Sequence, residues 1–304
     1  MTISITAKPS ARNRPNNALR RTFAELRQAR AKTPAGTDER LTAMELNGRP
    51  ITIDEVSRLA LTGFGHFTSM RVEGRAGVRG LTLHLDRLRR DCRTVFAVDL
   101  DLDRVREYLR KAASDIDSPI ILRATIFDPN LQLGTPGAAA EPHVLITTTP
   151  ARPVPLSAAR LQTAVYTRDL PRVKHVGLFG ALQHRAQAQR NGYDDVLFTA
   201  ADGTVSEAAT ANIGFIDADD RVIWPEADVL PGTTMRLLSQ TRDEEVVTQP
   251  IAVSDLAQYK AAFLTNVAIG VRAVAAVDDT IWKPDHPLLD ELRADYEAIP
   301  PERL

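Results

Sequence analysis

Apolar and polar positions follow two different periods along this chain, and the period changes from segment to segment. "GHFTSMRVEG", residues 65–74, is rich in β-forming residues, alternates weakly and ends in glycine, so it reads as a strand. "LTLHLDRLRRDCRTVF" sets Leu85, Leu88, Cys92, Val95 and Phe96 at helical spacing, and "DRVREYLRKAASDI" is a second amphipathic helix. "PIILRATIFDP" and "HVLITTTP" are apolar runs bounded by prolines and read as buried strands. The proline-punctuated "ARPVPLS", residues 151–157, is the best connector.

Past that connector the alternation resumes. "LQTAVYTRDL" reads as a strand, and a helix is predicted from Gly177 to Arg190 with Gly192 as its stop. "DVLFTA" and "TVSEA" flank an Asp-Gly turn, and "NIGFID" with "RVIWP" repeats the arrangement. In "LPGTTMRLLSQ" the threonines stand where a helix begins, as capping residues do. "AAFLTNVAIGVRAVAAVDD" reads as one long apolar strand region. The sum is an α/β (α+β) chain of two domains: a small one over 46–150 and a larger one over 158–304.

Residues 1–45 differ. From Ala11 to Thr33, Arg12, Arg14, Arg20, Arg21, Arg27, Arg30 and Lys32 stand against a single acid, Glu25, and Leu19, Phe23 and Leu26 have i, i+4, i+7 spacing. An organelle transit peptide has this character; a flexible tail or a translation start placed too early are the plainer readings. "MELNGRPITIDE" resembles a natural start, so the fold is expected to begin near Met44.

Composition narrows the classes. A chain of 304 residues has ample material for a core, and a net charge of −1 gives no electrostatic case for nucleic acid or an anionic membrane as partner. The single cysteine, Cys92, excludes an internal disulfide framework and fits a reducing compartment, hence the cytoplasm. No apolar run approaches the ~20 residues of a membrane helix. No repeat, zinc-ligand cluster, phosphate-binding P-loop or dinucleotide fingerprint is present.

Candidate chemistry begins at Lys174, in a chain that strongly prefers arginine. It stands on a strand-to-helix junction among Val173, Val176, Leu178 and Phe179, where desolvation lowers an amine's pKa. A neutral amine is what a Schiff base with an aldehyde requires. A pyridoxal-phosphate enzyme also needs an acid at the pyridine nitrogen and a phosphate cradle at a helix start, often with an arginine. Glu207, flanked by Ser206, Ala208 and Ala209, offers the acid, "PGTT" at 231–234 the helix start, and Arg87 the arginine. Each also has a plain reading as a strand-edge glutamate, an ordinary cap and a solvated arginine.

In "FTSMRV", "HLDRL", "VKH", "GYDDVLFTAADGTVSEAATANIGF", "LPGTTMRLL" and "FLTNVAIGVRAV", in collinear order from about residue 46 to 290, the chain resembles the fold-type IV pyridoxal-phosphate enzymes. These include branched-chain aminotransferase, D-amino acid aminotransferase and aminodeoxychorismate lyase. The resemblance implies two domains with pyridoxal 5'-phosphate between them, and Lys174 as the Schiff-base lysine that also moves the Cα proton. It implies Glu207 on the pyridine nitrogen and Arg87, Gly232, Thr233 and Thr234 on the phosphate. Thr210, Ala211 and Asn212 fall in a loop that approaches the cofactor, and Thr265 in the segment that completes the phosphate side. On the substrate side it implies Phe67, Thr68, Arg71, Arg123 and Asn266, with Arg71 and Arg123 as candidates for the substrate carboxylate. An amino acid and an oxo acid are the implied partners, and a homodimer the implied assembly.

Departures separate the members. Phe179 stands where branched-chain enzymes have a tyrosine, and Thr68 where they have a glutamate. The arginine–histidine pair of D-amino acid aminotransferases has no counterpart in "ILRATIFDPN". Thr68, Arg71, the Lys174–His175 pair, "TANI" and Asn266 lean toward the lyase. The expected activity is amino-group transfer between an amino acid and a 2-oxo acid. The alternatives are a lyase releasing pyruvate and 4-aminobenzoate, and a non-enzymatic cofactor-binding relative. His175 is expected to point to the opposite face from Lys174. His84, Trp224 and Trp282 are expected to be structural, Cys92 buried and inert, and Asp217, Asp219 and Asp220 a hairpin turn with no metal site.

Overall fold

The computed structural model describes residues 44–304 apart from 74–76, 115 and 243–245. The arginine-rich stretch and its amphipathic segment at Leu19–Leu26 lie outside the described residues, and strand β1 (Met44–Leu46) opens the described chain.

The first sheet has the order β2 (Arg49–Pro50), β1, β5 (His143–Pro150), β4 (Ile120–Phe127), β3 (His66–Val72), all antiparallel. Period-two alternation gives it two different faces. Met70, Val72, Ile120, Leu122, Ala124 and Ile126 turn toward α2 (Leu81–Phe96) and α3 (Leu102–Ala113), whose Leu85, Leu88, Cys92, Val105 and Leu109 complete that core. The other face carries Phe67, Ser69, Ile121 and Arg123. Helix α1 (Ile53–Thr62) begins at a Thr52–Glu55 capping box. Leu304, at the chain's end, packs against the core of this first sheet, and Glu302 bridges to Val78.

Residues 151–157 lead to the second sheet, which contains β6 (Ala159–Val165), β7 (Asp195–Thr199), β8 (Val205–Ala208), β9 (Asn212–Ile216), β12 (Ala261–Asn266) and β13 (Gly270–Val277). Its order runs β9-β12-β13-β6-β7-β8, and the Glu207–Asn212 pairing joins β8 back to β9. These strands therefore close into a ring, which removes two exposed edges. β10 (Val222–Pro225) and β11 (Val246–Gln249) branch from β9, and β14 (Thr280–Ile281) pairs with β13. Helices α4 (Phe179–Arg190), α5 (Thr233–Thr241) and α6 (Pro287–Ala298) are the remaining α-helices among the described residues.

The long apolar strand region is a hairpin of β12 and β13. Its turn is made by Asn266, whose Oδ1 accepts the amides of Ala268 and Ile269, and by Gly270 at φ 59. The "PGTT" threonines are not caps: Gly232 is the N-cap, and Thr233 and Thr234 are the first two helical residues. Trp224, Trp282 and Cys92 are buried, and burial raises the Cys92 thiol to about 11. Asp217 accepts from the amides of Asp219 and Arg221, which closes the expected hairpin turn.

Candidate active site

Lys174 lies in the irregular chain between β6 and α4, and the first sheet holds it. Phe67 N–H donates to the Lys174 carbonyl at 2.8 Å, and Val176 N–H donates to Gly65 at 2.9 Å. The Lys174 amide donates to Asp91 Oδ2 of α2 at 2.9 Å. His175 forms a bridge with His66, and its ring nitrogen Nε2 meets the Asp169 carbonyl at 2.9 Å, turned away from Lys174. Lys174 is half-buried as a residue, and its amine sits 5.0 Å from the centre of the Phe67 ring. Desolvation first, then the charges of Arg87 and Arg168, lowers its pKa to about 7, against the opposing pull of Glu207.

A cavity of about 280 Å³ opens around this amine. At one end α5 begins, with no side chain capping its N-terminus. Thr233 Oγ1 and Thr265 Oγ1 are buried there without a hydrogen-bond partner. Arg87, 5% exposed, donates to the Pro231 carbonyl at 2.5 Å. Buried hydroxyls are normally satisfied. Unpaired hydroxyls, a buried guanidinium and an uncapped helix N-terminus together form an anion cradle. Gly232 keeps the chain close to Asn212, because a Cβ there would meet Asn212 Oδ1 at 2.0 Å.

Glu207, 5% exposed, is the acid on the same cavity. Its Oε1 accepts from Arg168 Nη1 at 3.2 Å, and its Oε2 from the Leu230 amide at 3.3 Å. Burial raises its pKa, opposed by Arg168. Arg123 stacks over Phe67 at 3.5 Å from the ring centre, a cation–π contact that leaves the guanidinium facing the cavity. Asn212 Nδ2 donates to the Leu230 carbonyl at 2.8 Å. Asn266 Nδ2 donates to the Thr210 carbonyl at 3.0 Å, pinning the 210–212 loop.

The cavity thus brings together Lys174, Arg87, Glu207, Thr210, Ala211, Asn212, Gly232, Thr233, Thr265, Phe67, Arg123 and Asn266. It does not include Thr68, Arg71 or Thr234. Thr68 alternates with Phe67 and Ser69 and so faces α2, where its Oγ1 meets His84 Nδ1 at 2.7 Å. Arg71 shares the face of Phe67 but lies farther along β3. There it pairs with Glu73 at 2.7 Å and lines a separate cavity with Arg79 and Arg293. Thr234 is buried one position beyond Thr233, against Tyr296. Phe179 is 83% exposed, and Leu178 lines the cavity in its place. The sequence reading missed Arg168 and Asp91. The signal for Asp91 was an acid at i+4 from Arg87 beside an apolar stripe; Arg168, in irregular chain, had none.

The family model for amino-transferase class IV matches residues 65–277. The chain belongs to the class IV aminotransferases. A probable branched-chain-amino-acid aminotransferase of Rickettsia felis is 28% identical over 126 residues, 39% of this chain. That match spans 43% of the relative, less than half its length. Among solved structures, a branched-chain aminotransferase of Thermoproteus uzoniensis with norvaline superposes at a TM-score of 0.73. It is 19% identical, with 84% of this chain and 93% of that one covered. A hypothetical aminotransferase of Mycobacterium tuberculosis in its PLP-bound form superposes at 0.71, with 16% identity and coverage of 84% and 98%. At such identities the two structures establish the fold, which is that of this class IV chain.

Proposed function

We propose that this class IV protein is a pyridoxal-phosphate-dependent aminotransferase that moves an amino group between an amino acid and a 2-oxo acid. One observation carries the reading. A desolvated lysine, a buried acid and a cradle of unpaired hydroxyls with a buried arginine share one cavity. The donor set fits a phosphorylated aldehyde with a basic ring nitrogen. Arg87, the hydroxyls of Thr233 and Thr265 and the start of α5 would hold the phosphate. Glu207 would be the acid for the ring nitrogen, and Lys174 the amine for the aldehyde. When bound, the cofactor supplies an electron sink for the charge left at the substrate Cα.

The chain's own residues do the rest. Lys174, with a pKa of about 7, exists as both amine and ammonium at neutral pH and can take and return the Cα proton. Arg168 opposes the burial that raises the pKa of Glu207. Arg123 offers its guanidinium to the substrate carboxylate. The lyase reading loses support, because Thr68 and Arg71 do not line the cavity. The same reading includes a homodimer in the cytoplasm; among the described residues no helix is long and apolar enough to cross a membrane.

The deciding experiment is an absorbance titration of cofactor-loaded protein with single L- and D-amino acids, no oxo acid being present. Conversion of the cofactor to its pyridoxamine form by one amino acid class supports transfer and names the donor. A stable spectrum with every amino acid, together with pyruvate and 4-aminobenzoate formed from aminodeoxychorismate, would establish the lyase instead.

A further inference from the structure

We propose that Asp91 is the positioning residue for Lys174: it holds the lysine's main chain in the cavity with a buried carboxylate carried by α2. The proposal rests on the functional reading above and concerns a residue that stands outside the cavity wall. Asp91 is fully buried, one helical turn beyond Arg87. Its Oδ2 accepts the Lys174 amide at 2.9 Å. Its Oδ1 accepts from Arg90, at 3.0 Å from Nε and 2.7 Å from Nη2. The same Arg90 Nη2 also donates to the Arg172 carbonyl at 2.9 Å. Asp91 and Arg90 together therefore clasp residues 172–174 onto α2.

The lysine is gripped from two directions. β3 takes its carbonyl through Phe67 N–H, and α2 takes its amide through Asp91. With the main chain fixed, the side chain alone is left to move between the aldehyde carbon and the substrate Cα. A serine or asparagine could satisfy an amide as well, and a buried carboxylate is expensive to desolvate. The charge therefore calls for its own account, which lies in the surroundings. Arg87 and His84 from α2, Arg123 from β4, Arg168 from the chain after β6 and Glu207 from β8 surround Lys174. That set is rich in cations, and Asp91 offsets it, acting directly on Arg87. Asp91 is thereby both anchor and counter-charge.

The test uses the full-length, cofactor-loaded protein with Asp91→Asn, Asp91→Ala and Arg90→Gln. The readouts are retention of pyridoxal phosphate, the pH midpoint of its visible absorbance, and kcat and KM measured separately. Asp91→Asn keeps an acceptor but not the charge, so retention stays within about threefold of the parent while the pH midpoint falls. Asp91→Ala removes both, so cofactor retention and kcat drop about tenfold or more with KM little changed. Arg90→Gln, at a half-exposed side chain that leaves the core intact, removes a cation beside Asp91 and moves the midpoint the opposite way from Asp91→Asn. Variants that lose thermal stability but keep the parent's midpoint and kcat would overturn the proposal and leave Asp91 a packing residue. Should Asp91→Ala fail to fold, an unchanged midpoint in Asp91→Asn overturns it alone. A parent protein that takes up no cofactor refutes the functional reading instead, which separates the two failures.

Discussion

On the proposed reading, Lys174 carries both the chemistry and a cost in stability. Removing it in Lys174→Ala abolishes turnover, and retained turnover in a steady-state assay would sink the mechanism. The amine ordinarily titrates at 10.5 and here at about 7, so the neutral base forms as pH rises through that value. Uptake of pyridoxal phosphate by the apoprotein should accordingly speed up as pH rises, with a midpoint near 7, read from the growth of the visible absorbance. The linkage has a definite sign. Between about 7 and 10.5 the unfolded chain holds a proton that the folded one has released, so apoprotein stability rises with pH across that window. Below it, the desolvated ammonium is a full penalty. Replacing it in Lys174→Met should stabilise the apoprotein at neutral pH, raising Tm by about 2–4 °C in a thermal melt. Arg123→Gln should raise KM for the amino donor about tenfold or more while kcat changes less, because it removes a charge-assisted contact to the carboxylate.

Among the elements, α2 does the most. Its apolar stripe seals the core of the first sheet, while Arg87 and Asp91 carry charge to the site from the same helix. It starts at Gly80, with φ 70 in the left-handed region. A Cβ there would lie 3.0 Å from both Leu237 and Thr233 of α5. Gly80→Ala should destabilise the fold by about 1–2 kcal/mol in urea unfolding, and should weaken cofactor retention by displacing Thr233. The helical period of α2 was legible in the sequence because five apolar residues recur on one face. That Arg87 is buried was not, since a position off the apolar stripe is solvated unless another element covers it. The β12–β13 hairpin was likewise hidden, because Asn266 and Gly270 make a tight turn without interrupting the apolar run.

Across the whole molecule, the site depends on two sheets meeting at one lysine. The chain from Met44 contains every element described, with β1 paired along β5. A truncation beginning at Met44 should therefore fold and retain cofactor, checked by circular dichroism and cofactor absorbance. Light scattering of the full chain should report a dimer.

Local order alone determined much of this. Strand and helix periods, the Asp-Gly and Pro-Gly turns and the arrangement of Lys174, Glu207 and "PGTT" are properties of neighbouring residues, and the family's segments are written in the same local terms. What the sequence could not hold is the outcome of contacts between distant segments. Pleat direction, set by pairing with β4, turned Thr68 toward His84 and Phe67 toward the cavity. Ring closure through Glu207–Asn212 brought the acid beside the 210–212 loop. The lysine segment, although it belongs to the second half, takes its hydrogen bonds from β3 and α2 of the first. Only packing decides which amide a carboxylate 83 residues away will hold, and packing likewise desolvates the Lys174 amine.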